Sequence, residues 1–158
     1  MFGKILVAMD VSEMGKMVFA RALTLAQQNN ASLLLLHVLS PEEESSPLPI
    51  PSDLAEIYPA AGNDLTLETW QQQWEDFERQ GLEMLQSRAE QATEVGVKAE
   101  FKQVSGSPGR AICGVASQWQ ADLIVIGHRG RSGLNEILLG SVSNYVLHHT
   151  SCSVLMVQ

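Results

Sequence analysis

Four glycines and three serines fall within Gly127 to Val146, GHRGRSGLNEILLGSVSNYV, directly after the apolar run ADLIVI. Glycine serves where a chain turns sharply, takes positive φ or comes close to another body. A phosphate is one such body, and a tight strand-to-helix connection is another; the residues alone leave both open. The spacing Gly127-x2-Gly130-x9-Gly140-Ser141 divides the work. The first pair can bring backbone amides close to a ligand. The last pair opens a helix, whose unpaired N–H groups and positive dipole end favour phosphate. Arg129 and Arg131 add positive charge there, in a chain of net charge −8. No P-loop is present, because no GxxxxGK followed by Ser or Thr occurs. The dinucleotide fingerprint is absent too, since its glycines follow the first strand, where this chain has DVSEMG.

Asp10, at the end of the first apolar run, is either a ligand contact at a strand end or a turn and cap residue. His148 and His149 are neighbours on an expected helix and so point in different directions, which suits a structural or solvent-exposed role better than metal binding. His37, inside LLLLHVL, reads as a satisfied buried histidine. Cys113 and Cys152 lie far apart in sequence and form no CxxC, so reduced thiols are expected and neither a disulfide framework nor a zinc site.

These groups need a scaffold, and the chain spells one out. KILVAM (residues 4–9), ASLLLLHVL (31–39) and ADLIVIG (121–127) are short, nearly unbroken apolar runs, the pattern of strands covered on both faces of a parallel sheet. VKAEFKQV (97–104) alternates, as a strand near a sheet edge does, and SVLMV (153–157) is a last strand. Between them lie helices. One is capped by Ser12 and runs through Gln28, with Asn29 and Asn30 ending it. A second covers Thr66 to Val95, with Trp70, Trp74, Phe77, Leu82 and Leu85 available for an apolar face. The tryptophans read as core or loop anchors. Gly96 ends that helix, a third starts near Pro108, and a fourth covers Ser141 to His149. The β-α-β alternation predicts an open five-stranded parallel sheet of order 3-2-1-4-5 with helices on both faces. The ends of strands one, two and four would then line one crevice. Residues 40–63 hold five of the six prolines and an acidic cluster, and read as a long loop outside the core.

At 158 residues, 45% apolar and 18% charged, the chain fits one globular domain spanning 1–158. Its net charge and a pI near 4.9 weigh against nucleic acid or an anionic membrane as partner. No apolar stretch is long enough for a membrane span or a signal peptide, and with two reduced thiols this implies a cytoplasmic protein.

GHRGRSGLNEILLGSVSNYVL, together with ILVAMDVS, LLHV, ADLIVIG and SVLMV, resembles the universal stress protein family, of the adenine-nucleotide alpha-hydrolase-like fold. The likeness spans nearly the whole chain, and the glycine-serine spacing is that of the family's ATP-binding branch. The resemblance implies ATP, with Mg²⁺ or Mn²⁺, as the ligand. By the same resemblance, the main chain at Ala8 and Val38 would face adenine, and Asp10 would stand beside the ribose or a metal on the phosphates. Gly127, His128, Arg129, Gly130, Arg131, Ser132 and Gly133 would surround ribose and phosphates, and Gly140, Ser141 and Val142 would hold the phosphates at the helix start. Two positions depart from the family pattern: Gly15 stands near where a second Ser is common, and Ser153 where Pro often precedes the last strand. These imply altered capping and a looser approach to that strand.

The function expected is that of a nucleotide-dependent regulator or stress-response factor, with binding favoured over turnover because no convincing base to position water is present. The alternative is a slow nucleotide hydrolase or adenylyl-transferring enzyme on the same fold; a third reading is an interaction protein whose glycines only pack. Relatives of this kind often pair through the last strand, so a homodimer is expected.

Overall fold

The computed structural model describes residues 1–41, 43, 46–47, 63–128 and 139–158, with only the backbone of 63–66. Five parallel strands, β1 (Lys4–Ala8), β2 (Ser32–Leu39), β3 (Ala99–Ser105), β4 (Leu123–Gly127) and β5 (Ser153–Val157), form one sheet of order β3-β2-β1-β4-β5. Helices α1 (Glu13–Asn29), α2 (Asn63–Glu94), α3 (Pro108–Trp119) and α4 (Ser141–His149) connect them. The predicted fold class and strand order are those observed.

The continuous apolar runs are explained by two cores, one on each face. Alternate residues of a strand point to opposite faces. Ile5, Val7, Leu33, Leu35, Leu123 and Val125 therefore pack against Val18, Ala22 and Ala26 of α1 and Leu85, Ala89 and Ala92 of α2. Leu6, Ala8, Leu34, Leu36, Ile124 and Ile126 face Ile112, Val115 and Ala116 of α3 and Val146 of α4. Burying each such large side chain stabilises the fold by about 1.5–3 kcal/mol. The edge strand β3 keeps three consecutive residues, Glu100, Phe101 and Lys102, exposed, so both of its faces meet solvent there, where the alternation predicted exposure on one face.

Helix ends follow local chemistry. Ser12 caps α1 by accepting from the Gly15 amide, so the glycine at position 15 leaves capping intact, contrary to the altered capping expected there. Asn30 (φ 54°) and Gln120 (φ 58°) take the left-handed conformation and close α1 and α3. Ser153 donates its amide to the Asp122 carbonyl at 3.2 Å, a bond proline could not make. The approach to β5 is thus anchored, where a looser one was expected.

The apolar face of α2 differs from expectation at one position. Leu82 is 45% exposed, and Gly81 takes the inward place beside it. Trp70, Trp74 and Phe77 form an edge-to-face series with ring separations of 5.9 and 5.5 Å, continued by His37 at 5.9 Å from Phe77. Phe77 is thus the ring that meets the sheet, and the two tryptophans line up behind it along α2. The beginning of the expected loop also departs from its reading as outside the core: Ser40 and Glu43 are buried. Cys113 and Cys152, distant in sequence, both flank the second core as free thiols; burial first, and Cys152 second, push the Cys113 thiol up.

Candidate functional site

The order β3-β2-β1-β4-β5 places the topological switch between β1 and β4, since the chain leaves β1 toward β2 and returns to the other side for β4. Ligands of open parallel sheets bind beyond the strand C-termini at that point. Ala8 closes β1 in register with Leu36 on one side and Ile126 on the other, and the Met9 amide donates to the Leu36 carbonyl at 3.0 Å. Ala8 is buried, so its main chain is what it offers at the strand end. Val38 is half-buried near the end of β2, opposite Val104.

Asp10 lies in the turn from β1 to α1. Its Oδ1 accepts from the Ser12 amide at 3.0 Å and from the Ser12 hydroxyl. The helix start comes unusually close: a Cβ on Gly15 would stand 2.1 Å from the Asp10 carbonyl oxygen and 3.1 Å from Oδ1. Only glycine fits, so Gly15 fixes where Asp10 sits. Composition gave no sign of this, because the requirement is one of packing between α1 and the preceding turn.

Gly127 ends β4, and here too the space is closed. A Cβ would meet Met14 Cγ at 2.5 Å and Val18 Cγ2 at 3.2 Å, so α1 packs directly on the strand end. The Gly127 carbonyl accepts from Ser143 Oγ at 3.1 Å, which ties β4 to the first turn of α4. Ser143 is buried and was not among the sequence-predicted site residues; its spacing from Gly140 was the available signal. The His128 amide donates to the Val157 carbonyl at 2.8 Å, while its Nε2 is buried without a hydrogen-bond partner among the described residues. A buried unpaired ring nitrogen costs about 1–3 kcal/mol unless something satisfies it.

Gly140 is the N-cap of α4, and no side chain among the described residues caps that end. The first helical amides, with the positive end of the dipole, are what a phosphate would use. Ser141 is exposed and Val142 half-buried at this start. The structure thus gathers Ala8, Asp10, Gly127 and His128 at the switch point, with Gly140, Ser141 and Val142 on the helix joined to it through Ser143. Arg129, Gly130, Arg131, Ser132 and Gly133 lie outside the described residues. No three metal-ligating side chains cluster among the described residues, and no helix among them is long and apolar enough to cross a membrane. A separate groove of about 290 Å³ is lined by the mid-strand residues Leu34 and Phe101 and by Val115 and Trp119 of α3, away from the strand ends.

Comparison with known proteins bears on this arrangement. The universal stress protein family model matches residues 1–158. One universal stress protein of Synechocystis sp. is 39% identical over 160 residues, covering 99% of this chain and 98% of its own length. Another from the same organism is 56% identical over 102 residues, covering 65% of this chain and 94% of its own length. Among solved structures, a universal stress protein in complex with cAMP aligns with a TM-score of 0.63 at 23% identity, over 99% of this chain and 97% of its own. A family member from Arabidopsis thaliana with AMP bound aligns with a TM-score of 0.59 at 22% identity, over 98% and 90%. At those identities the structural likeness shows the fold.

Proposed function

The chain belongs to the universal stress protein family, and from that premise we propose that it binds an adenine nucleotide, ATP with Mg²⁺ or Mn²⁺, at the switch point between β1 and β4. The observation that carries the reading is the join at the switch point: the carbonyl of Gly127, which ends β4, is tied by Ser143 to the helix start at Gly140, whose first amides suit a phosphate. The buried Nε2 of His128 beside them, without a partner among the described residues, fits a ligand oxygen or hydroxyl. Family members of the same fold have been solved with cAMP and AMP, which supports the adenine class.

In this reading the main chain near Ala8 and Val38 faces the base and Asp10 the ribose or the phosphate-bound metal. The amides at Ser141 and Val142 receive the phosphates, and by the family resemblance Arg129, Gly130 and Arg131 belong around the ribose and phosphates. The protein acts in the cytoplasm as a nucleotide-dependent regulator or stress-response factor, and it pairs with a second copy through β5, whose free edge presents Leu155. Isothermal titration with ATP, ADP, AMP, cAMP and GTP, each with Mg²⁺ or Mn²⁺, tests the ligand. Saturable binding of ATP and not of GTP is expected; no heat with ATP at about millimolar concentration, a Kd weaker than roughly −4 kcal/mol of binding energy, would overturn the proposal.

A further inference from the structure

His37 is 1% exposed on β2, and every polar partner of its ring is an acceptor. Nδ1 stands 2.8 Å from Gln103 Oε1 on β3. The amide of Gln103 cannot be turned round, because its Nε2 donates to the Glu78 carbonyl of α2 at 3.0 Å. Nδ1 must therefore carry a hydrogen. Nε2 lies 2.9 and 3.1 Å from the two carboxylate oxygens of Glu43, itself only 7% exposed. Phe77 covers the ring edge-on, and Gly81 of α2 leaves the space for it: a Cβ there would stand 2.6 Å from Nδ1 and 2.1 Å from Gln103 Oε1.

Glu43 reaches this position through a compact turn directly after β2. Its amide donates to the Ser40 carbonyl at 3.2 Å, its carbonyl accepts from the Ser46 amide at 3.0 Å, and Ser46 Oγ donates to the Pro41 carbonyl at 2.9 Å. Among the described residues, the carboxylate of Glu43 is a buried tie from this turn to the sheet.

With an acceptor at each ring nitrogen, the pair needs one proton on Nδ1 and a second between Nε2 and the carboxylate. Whether that second proton is drawn on the imidazole or on Glu43, the number held is the same. Remove it, and a nitrogen lone pair faces carboxylate lone pairs at hydrogen-bond distance in a buried site, a repulsive and unsatisfied contact. We propose that His37 and Glu43 form a proton-dependent latch, which pins the turn bearing Ser40, Glu43 and Ser46 to the end of β2 while the pair holds its shared proton and releases it when base removes that proton.

The charged and polar groups facing the ring are Glu43 from the turn, Gln103 from β3 and, at longer range, Asp10 from the turn after β1; α2 contributes only Phe77 and Gly81. Burial alone would lower the His37 pKa, but the hydrogen bonds to Glu43 and Gln103 and the charges of Glu43 and Asp10 outweigh it, raising the value above the ordinary 6.5. A group whose folded pKa is raised contributes stability that is complete below its unfolded pKa and lost as pH rises through the folded one. The latch is thus closed at mildly acid pH and opens on the alkaline side. Val38, the next residue, is where the proposed adenine contact falls, so a link from latch to ligand rests on the nucleotide reading; the latch itself does not.

The test uses the whole chain without nucleotide. Hydrogen exchange at the Glu43 and Ser46 amides, followed from about pH 6 to about pH 9 as protection factors, reads the turn, and the ¹⁵N signals of His37 read the ring. In the parent, both ring nitrogens carry hydrogen at the acid end. Turn protection then falls as His37 titrates, by up to roughly tenfold for each unit by which its pKa exceeds the unfolded value, while the Val7 amide in the core keeps its protection. In Glu43→Gln the carboxamide N–H donates to the bare Nε2 of a neutral ring, so the turn stays protected across the range and the His37 pKa falls below 6.5. Glu43→Ala loses turn protection at every pH. A parent His37 titrating at or below 6.5, turn protection indifferent to its titration, or Glu43→Gln behaving like the parent would each overturn the latch; should Glu43→Ala fail to fold, the parent series and Glu43→Gln decide.

Discussion

Replacing glycine by alanine inside a helix usually stabilises a protein, by about 1 kcal/mol, and the close approach of α1 to Asp10 reverses that sign at one glycine and not at another. In Gly15→Ala the new Cβ would lie 2.1 Å from the Asp10 carbonyl oxygen and 3.0 Å from its carbon, both backbone atoms that cannot swing aside. Ordinary contact requires the helix start to retreat by about 1 Å, an overpacking change that costs about 1–3 kcal/mol. The retreat also stretches the bond from the Gly15 amide to Ser12 Oγ, now 3.2 Å, and losing that cap costs about 1 kcal/mol more. The propensity gain offsets about 1 kcal/mol. The net loss of about 1–3 kcal/mol corresponds to a fall in Tm of roughly 3–10 °C for a chain of this size. Gly114, in the middle of α3, is the control: a Cβ there meets nothing within 4 Å. Gly114→Ala should raise Tm by about 1–4 °C, from propensity alone. Differential scanning calorimetry of the two variants beside the parent decides the matter. If Gly15→Ala is as stabilising as Gly114→Ala, the tight seat of α1 on the Asp10 turn is wrong.

Other expectations follow from the same geometry. Ser141→Glu places a negative charge at the start of α4 and should weaken ATP binding roughly ten- to hundred-fold, about 1.5–3 kcal/mol, in a titration, with little change in ligand-free Tm; an unchanged Kd counts against phosphate at that helix. Leu155→Lys, on the free edge of β5, should convert a dimer to monomer by light scattering, and a parent that is already monomeric at micromolar concentration refutes the pairing. The amides of Gly3 and Lys4, bonded at 2.8 Å, hold the Asp122 carboxyl below its ordinary 3.8. Its contribution is therefore present above that value and lost as pH falls through the depressed one, so Asp122→Ala should flatten the acid limb of a Tm-against-pH curve; an identical limb in the variant argues against it.

The sheet was legible because its signal is redundant. KILVAM, LLLLHVL and ADLIVIG each need two covering layers, and a parallel sheet supplies both. Boundaries moved little: the second helix begins at Asn63, three residues before its expected start at Thr66, and the strand expected at 97–104 runs Ala99–Ser105. At the site, Ala8, Asp10, Gly127, Gly140 and Ser141 could be placed from strand order, since the ends of parallel strands share an edge. What escaped the sequence was side-chain pairing across distant segments. Nothing in the alternation of VKAEFKQV says that Gln103 orients a histidine of β2, and nothing in PEEESS says that Glu43 turns inward while the run looks like a solvated acidic cluster. Leu82 was placed on the apolar face of α2 by periodicity, yet the inward position beside it had to be glycine to admit the His37 ring. Such choices are set by the volume left between elements, which residue spacing does not record.

The two borders of the sheet are unlike, and for the proposed pairing through β5 that asymmetry limits how large an assembly can grow. β3 carries Glu100 and Lys102 along its exposed length, charges that a second strand laid against it would have to desolvate. β5, SVLMV, carries none. A chain with two adhesive borders can add copies without end, as fibrils do. A chain with one can only meet its like about a two-fold axis, after which both outer borders are the charged kind and addition stops. Introducing an uncharged apolar pair at positions 100 and 102 would remove that terminator, and with it the property that keeps such a sheet countable.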